Sequence, residues 1–565
     1  KARQIRTYIQ NHLGGYTYSD SKIDFAGKAL STTTRHKRTS GSTELVTREE
    51  FTYSAQDRLL IHTHQINNGP VETIASNTYD DLGQLSSKEV GNSAQNINYS
   101  YNVRGWLTGI NDVTSLVKLD TPKDLFAFRI NYDNLNYGMT GVKALYNGNI
   151  SETSWATNSD NGTVRSYGYK YDNLNRLKEG IFQKAAVTTN AYNETLSYDK
   201  NGNIMGLSRN GSSESATAID ALVYTYANNN TANQLMKVTD SSRKDLGFTD
   251  GNNTGDDYAY DLNGNMISDA NKNITAITYN HLNLPTKITF TTTGNIVYIY
   301  NATGQKLQKI VNRSGSATVV TDYMGGYQYE KIGEQPTTLK FFPTAEGYVE
   351  PLGSSYKYIY QYKDHLGNIR LSYDKSLTIQ EENNYYPFGL KQEGYNTAKN
   401  STNDALRYKY NGKELQDELG LNFYNYGARN YDPAIGRWMN IDPLAENSRR
   451  WTPYNYAYDN PVCFVDPDGR QAVYNWTGKN KGQYTDNGKV VDFNKALASY
   501  GINSESKSPK DIVVTADDGT TLFTLNDGKK EITKMTAKEL YKQGTQWFEP
   551  LADNYMPLKS ISKGA

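Results

Sequence analysis

The sequence predicts an all-β protein whose hairpins lie side by side in one continuous sheet. Three observations carry this. The chain has 47 tyrosines in 565 residues, yet only 37% of it is hydrophobic and its mean hydropathy is −0.74. Disordered chains are poor in aromatics, whereas tyrosine, an apolar ring with a polar tip, suits half-buried sheet surfaces that face water on both sides. A short turn template recurs along the chain. Between its copies, stretches such as NIVYIYNATGQKLQKIV alternate with the period of a strand.

The template is Tyr, usually Asp or Asn, two variable residues, then Gly or Asn (once Asp). It begins at Tyr79, Tyr101, Tyr132, Tyr171, Tyr198, Tyr260, Tyr279 and Tyr300, with a looser copy at Tyr53. This is the spacing of a hairpin. Tyr ends one strand, and the Asp or Asn side chain bonds its own backbone two residues on. Gly83, Gly105, Gly202, Gly264 and Gly304 then occupy a position where positive φ is cheap. Asn136, Asn175 and Asn283 fill it with the non-glycine residue that best tolerates that conformation. A lone hairpin is marginal in water, so neighbours pair, and a long sheet must curl or close to protect its edges. The irregular spacing of the copies fits a sheet with variable loops better than a solenoid of fixed period.

Bulk properties narrow the function. Lys plus Arg and Asp plus Glu number 60 each, and a nucleic-acid binder normally carries a basic excess. The single cysteine, Cys463, excludes an internal disulfide and a cysteine-based zinc site. No apolar run approaches the ~18 residues of a membrane span. The start at Lys1, without a leader, reads as a piece of a longer polypeptide.

The repeats resemble the YD repeats of the Rhs family, which includes insecticidal toxin-complex C components and teneurins. YKDHLGNIRLSY (362–373) and YYPFGL (385–390) resemble the run leading into that family's repeat-associated core. YKYNGKELQDELGLNFYNYGARNYDPAIGRWMNIDPLAENSRRWTPYNYAYDNPVCFVDPDG (408–469) resembles the core throughout. The resemblance implies that the sheet spirals into a hollow β-cocoon closed at one end by the core as a plug. It divides the chain into an N-terminal part of the shell (1–50), the YD-repeat cocoon (51–375), the core or plug (376–470) and a small, mostly β linker or start of an effector region (471–565).

In self-cleaving relatives an Arg and two Asp of the core form a site like that of an aspartic protease. The chain is cut just after an Asp-Pro-x-Gly-Leu run. Arg429, Asp442 and Asp466 stand at the matching positions, and PVCFVDPDGR (461–470) places the expected cut at Gly469, Arg470 and Gln471. Arg470 stands where those relatives carry Leu. Two carboxylates within hydrogen-bonding reach cannot both ionise cheaply, so one keeps a proton as acid while the other activates water. An adjacent Arg biases which one ionises, or stabilises a developing oxyanion. The competing reading is that these Asp-Pro and Asp-Gly pairs are ordinary turn chemistry.

Residues 471–565 hold 13 Lys and no Arg, His or Cys, which excludes His- or Cys-dependent catalysis there. DIVVTADDGTTLFTLNDG (511–528) reads as a hairpin. TAKELYKQGTQWFEPLADNYM (536–556) reads as a short helix with Thr536 as N-cap and Glu539 completing a capping box. His62 and His64 share a face if their segment is a strand, and without a third ligand they read as cross-strand packing. His365 reads as structural and TTTRHKRT (32–39) as a solvated basic loop. Asp261 opens like a calcium loop, but Lys272 stands where the closing Glu belongs. No cofactor and no metal is expected.

The resemblance thus implies a secreted or cell-surface bacterial toxin shell, monomeric, that encapsulates and delivers its own C-terminal effector segment. Aspartyl autoproteolysis near Arg470 would release that segment. Besides it, the implied partners are a chaperone, an immunity protein or secretion machinery, with no nucleic acid bound by this part. The DPDGR form resembles that of Bacteroidota members, which implies export by the type 9 route. The alternative is a surface adhesin of the same repeats, its tyrosine-rich exterior stacking on sugars or binding another cell.

Overall fold

Each template copy folds as a closed turn. In the computed structural model, Asp80 Oδ1 accepts the Gln84 amide at 2.8 Å, the Asp80 amide donates to the Gln84 carbonyl at 2.9 Å, and Gly83 lies at φ 79°. The same side-chain closure, four residues on, recurs at Asn102, Asp172, Asp199, Asp261, Asn280 and Asn301. Asn175 and Asn283 hold φ of 62° and 57° in place of glycine, and Asp57 holds 65° in the Tyr53 copy. Asp24, Asp364 and Asp374 close three further turns of this kind. The Tyr132 copy departs from it: Asn136 is not left-handed, because buried Glu152 captures its amide at 2.8 Å and opens the segment into a long loop.

The structure describes residues 3–474 apart from 117–122, 212, 244–245, 253 and 397. Beyond 474 it describes only strand residues 485–486, 489–490, 503–505, 511–515, 521–526 and 529–531. Eighteen strands from Arg6–Gln10 to Leu235–Asp240 form one sheet, and thirteen from Tyr258–Tyr260 to Ile379–Glu382 form a second. Pairing is antiparallel throughout and joins strands consecutive in the chain, with Val187–Thr188 as a short side strand. Asp511–Thr515 pairs with Thr521–Asn526 as the expected hairpin; Thr536 and Glu539 lie outside the described residues.

The tyrosines do more than face water. The Tyr79, Tyr171, Tyr198 and Tyr226 hydroxyls donate to the carbonyls of Leu59, Ile150, Leu177 and Ile204 at 2.8, 2.8, 2.6 and 2.7 Å. Each ring is thereby stapled to the preceding hairpin. The polar tip satisfies a backbone acceptor, while the rings of Tyr79, Tyr171 and Tyr198 stay half-buried.

The two sheets meet through buried side chains. His36 stacks on Tyr327 with ring centroids 3.8 Å apart, and Arg38 pairs with Asp322 at 2.8 Å. Residues 32–39 are therefore in the strand Ala29–Thr39 rather than a solvated loop, with His36 turned inward by alternation. His64 Nδ1 bonds the Tyr358 hydroxyl at 2.8 Å, and His62 Nε2 bonds Glu49 at 2.9 Å, so the two histidines serve different contacts.

Residues 383–474, apart from 397, pack on the sheets with short strands, chiefly Glu414–Gln416, Phe423–Asn425, Asn430–Asp432 and Arg437–Trp438. They seat on the template turns: the Tyr454 hydroxyl donates to Gly264, the Thr452 amide to Asn201 and the Asn460 amide group to Asn175, at 2.7, 2.9 and 3.0 Å. Arg209, fully buried between Glu194 and Asp220, also donates to the carbonyls of Pro433 and Ala434 at 3.0 and 2.7 Å. Glu414 accepts Lys306 Nζ, Lys309 Nζ and the Tyr323 hydroxyl, each at 2.7 Å. Burial alone would raise its carboxyl, but the two ammonium groups hold it well below the usual range. Removing one partner of a buried ion group costs about 3–5 kcal/mol. Glu414→Ala should lose that much in denaturant unfolding; a loss under about 1 kcal/mol would mean this cluster does not pin the two parts together.

Candidate self-cleavage site

Arg429, Asp442 and Asp466, separated by up to 37 positions in sequence, converge in the covering segment. Arg429 precedes the strand Asn430–Asp432, Asp442 opens a turn after Arg437–Trp438, and Asp466 follows Phe464–Val465. Each acid uses one oxygen to build its own turn. Asp442 Oδ1 accepts the Leu444 amide at 2.8 Å. Asp466 Oδ1 accepts the amides of Asp468, Gly469 and Arg470 at 3.3, 2.8 and 3.0 Å, with Gly469 at φ 79°. The DPDGR run is thus a further copy of the shell's turn.

The other oxygens share one donor. Arg429 Nη2 lies 2.9 Å from Asp442 Oδ2 and 2.9 Å from Asp466 Oδ2. Its Nε donates to the Gly469 carbonyl at 2.6 Å, and its guanidinium lies 4.1 Å from the ring centroid of fully buried Trp438. One cation between two carboxylates leaves a net negative charge, so one proton is retained cheaply. Burial pushes the Asp442 carboxyl up to about 6; Arg429 opposes the rise, and Asp466 and Asp468 add to it.

A cavity of about 20 Å³ opens between the acids, lined by Arg429, Asp442, Asp466, Tyr458 and Ala472, which is room for one water. Ala457, Tyr458 and Asp459 turn the chain past it with φ of 48°, 53° and 56°, a run that non-glycine residues adopt at about 1–2 kcal/mol each. Arg470 does not enter the cavity: its side chain is 55% exposed, 3.9 Å from Asp468.

This turn differs from those of the shell in its backbone bonds. There the Asx amide donates to the carbonyl four residues on, as Asp199 does to Asn203. At Asp466 that closing bond is not made, and among the described residues the Arg470 carbonyl accepts no hydrogen bond.

Sequence reasoning identified the three charged residues but not Trp438, Tyr458 or Lys413, whose ammonium donates to the Pro467 carbonyl at 2.5 Å. No local pattern marks them. Of the other residues weighed, His365 bonds the Val462 carbonyl at 2.8 Å, a structural contact. Among the described residues no group of three His, Cys, Asp or Glu is arranged to hold a metal.

No family model matches the chain. Its fold is that of a chain in the Photorhabdus luminescens Tc holotoxin pore, with a TM-score of 0.57 at 17% identity over 85% of this chain and 24% of that one. It is 28% identical over 340 residues to the tRNA(Glu)-specific nuclease WapA of Bacillus subtilis subsp. natto, covering 57% of this chain and 12% of the relative. It is 32% identical over 167 residues to salivary gland surface protein 1 of Aedes aegypti, covering 28% of this chain and 4% of that protein. It spans only a small part of each of these relatives.

The Asp442 carboxyl makes the site pH-sensitive in a stated direction. Its pKa is raised from 3.8 to about 6, so between those values the folded chain binds a proton the unfolded chain lacks. Stability therefore falls as pH rises through that window. Asp442→Asn should remove roughly 1–3 kcal/mol of that fall in urea unfolding compared at about pH 4 and about pH 7; equal slopes in parent and variant would show that Asp442 is not the group.

Proposed function

We propose that this chain is part of a toxin shell that cuts itself between Arg470 and Gln471 and so frees its downstream segment. The observation that carries the reading is the single Arg429 nitrogen at 2.9 Å from both carboxylates, beside a cavity of one water's size. Asp466 takes a proton from that water as its oxygen attacks the Arg470 carbonyl carbon. Arg429 and the protonated Asp442 face the oxygen that becomes negative. Asp442 then passes its proton to the Gln471 nitrogen as the C–N bond breaks, and the water oxygen stays in the new Arg470 carboxyl group. The exposed Arg470 side chain makes its difference from Leu tolerable, since the cavity does not have to accommodate it.

Encapsulation of the downstream segment, delivery to another cell and export follow from this reading as its biological setting. The fold shared with a Tc holotoxin chain and the partial likeness to a bacterial nuclease support the toxin class. The adhesin alternative rested on a tyrosine-rich exterior. Many of the tyrosines are instead buried, with Tyr192, Tyr224, Tyr360 and Tyr431 among the largest fully buried side chains, while Tyr8 and Tyr146 are exposed.

The test is intact mass of the purified chain beside Asp442→Asn and Asp466→Asn. A break between Arg470 and Gln471 in the parent, absent from both variants, is the expected result. An intact parent, or variants cut as fast as the parent, would falsify the reading.

A further inference from the structure

The three carbonyls that lead up to the proposed cut are each held by a different donor. Pro467 accepts Lys413 Nζ at 2.5 Å, Asp468 accepts the Ala428 amide at 3.0 Å and Gly469 accepts Arg429 Nε at 2.6 Å. From the other side, the amides of 468–470 converge on Asp466 Oδ1. The backbone up to Arg470 is thus gripped at every polar group, as a bound peptide is in a protease cleft.

Two of the donors belong to the stretch that carries Arg429, so their placement follows from that residue. Lys413 does not. It comes from the turn Tyr410–Gly412, where Asn411 and Gly412 lie at φ 50° and 67°. That turn is fastened both to the second sheet and to the covering segment. The Asn411 amide donates to Asn368 Oδ1 at 2.7 Å, and Asn411 Oδ1 accepts the Tyr426 and Tyr456 hydroxyls at 2.7 and 2.6 Å. Asn368 belongs to the Asp364 turn of the second sheet. The Lys413 ammonium also lies 5.2 Å from the Tyr426 ring centroid, a cation–π distance. Burial lowers the basicity of this ammonium, and Asp466 and Asp468 partly restore it. An ammonium donor at this spot is therefore favoured by the acids of the turn it holds.

We propose that Lys413 is a positioning residue for the self-cleavage, its ammonium clamping the Pro467 carbonyl so that the Arg470–Gln471 bond stays seated at the two acids. The proposal rests on the self-cleavage reading above. It adds a link from the shell, through Asn368 and Asn411, to the geometry of the cut. Lys413 transfers no proton and touches neither reacting atom.

The test uses the full chain with Lys413→Met and Lys413→Arg, each alone and combined with Asp442→Asn. Cleavage is followed by intact mass. Amide exchange of 468–470 is followed in the uncut Asp442→Asn background, with the strand Phe423–Asn425 as an internal check of folding. Lys413→Met is expected to slow the cut by about tenfold or more and to speed exchange at 468–470 while Phe423–Asn425 is unchanged. Lys413→Arg is expected to restore both. A Lys413→Met chain cut at the parental rate overturns the positioning role. Unchanged exchange in the Asp442→Asn background overturns the clamp itself. A parent that is never cut overturns the self-cleavage reading, and the exchange result then shows whether the clamp fails with it.

Discussion

The structure depends on one small constraint: a side-chain oxygen of Asp or Asn accepting the amide four residues on, with the residue before it left-handed. This turn fixes where strands end, so it sets the register of both sheets. It also fixes the rim on which residues 383–474 seat, through Gly264, Asn201 and Asn175. The same turn, at Asp466, then builds the site. There only half of it is used: Oδ1 closes the amides, Oδ2 turns to Arg429, and the closing bond to the fourth carbonyl is given up.

Packing explains why the site is stable enough to hold like charges together. The tyrosine hydroxyls staple hairpin to hairpin, and Arg209 and Glu414 join the covering segment to the sheets through buried ions. Within that frame Trp438 lies beneath Arg429, among Tyr426, Tyr431 and Tyr456. The guanidinium thereby stays within 2.9 Å of both acids, while burial raises the Asp442 carboxyl.

The sheet class and the turns at Gly83 to Gly304 were legible because each is a local pattern, whereas the three charged residues of the candidate site came from the resemblance to self-cleaving relatives. Turn chemistry acts over five residues, and strand alternation over six to ten. What was not legible depends on distant partners. Asn136 matched the template but lost its turn to Glu152. The basic run 32–39 looked solvated until Tyr327 and Asp322 supplied its inner face. Arg470, which stands where self-cleaving relatives carry Leu, has its side chain exposed beside Asp468. Lys413 and Trp438 carry no signal, because an ammonium on a carbonyl and a ring under a guanidinium arise only when separate turns meet.

The central claim is that a water held between Asp442 and Asp466 opens the Arg470–Gln471 bond. The measurement that bears on it most directly is the mass of the upstream fragment formed in ¹⁸O-labelled water. Hydrolysis by that water predicts one ¹⁸O atom in the new carboxyl group of Arg470 and an unmodified Gln471 amine on the other fragment. A fragment ending elsewhere, or one ending at Arg470 without the label, would contradict the account.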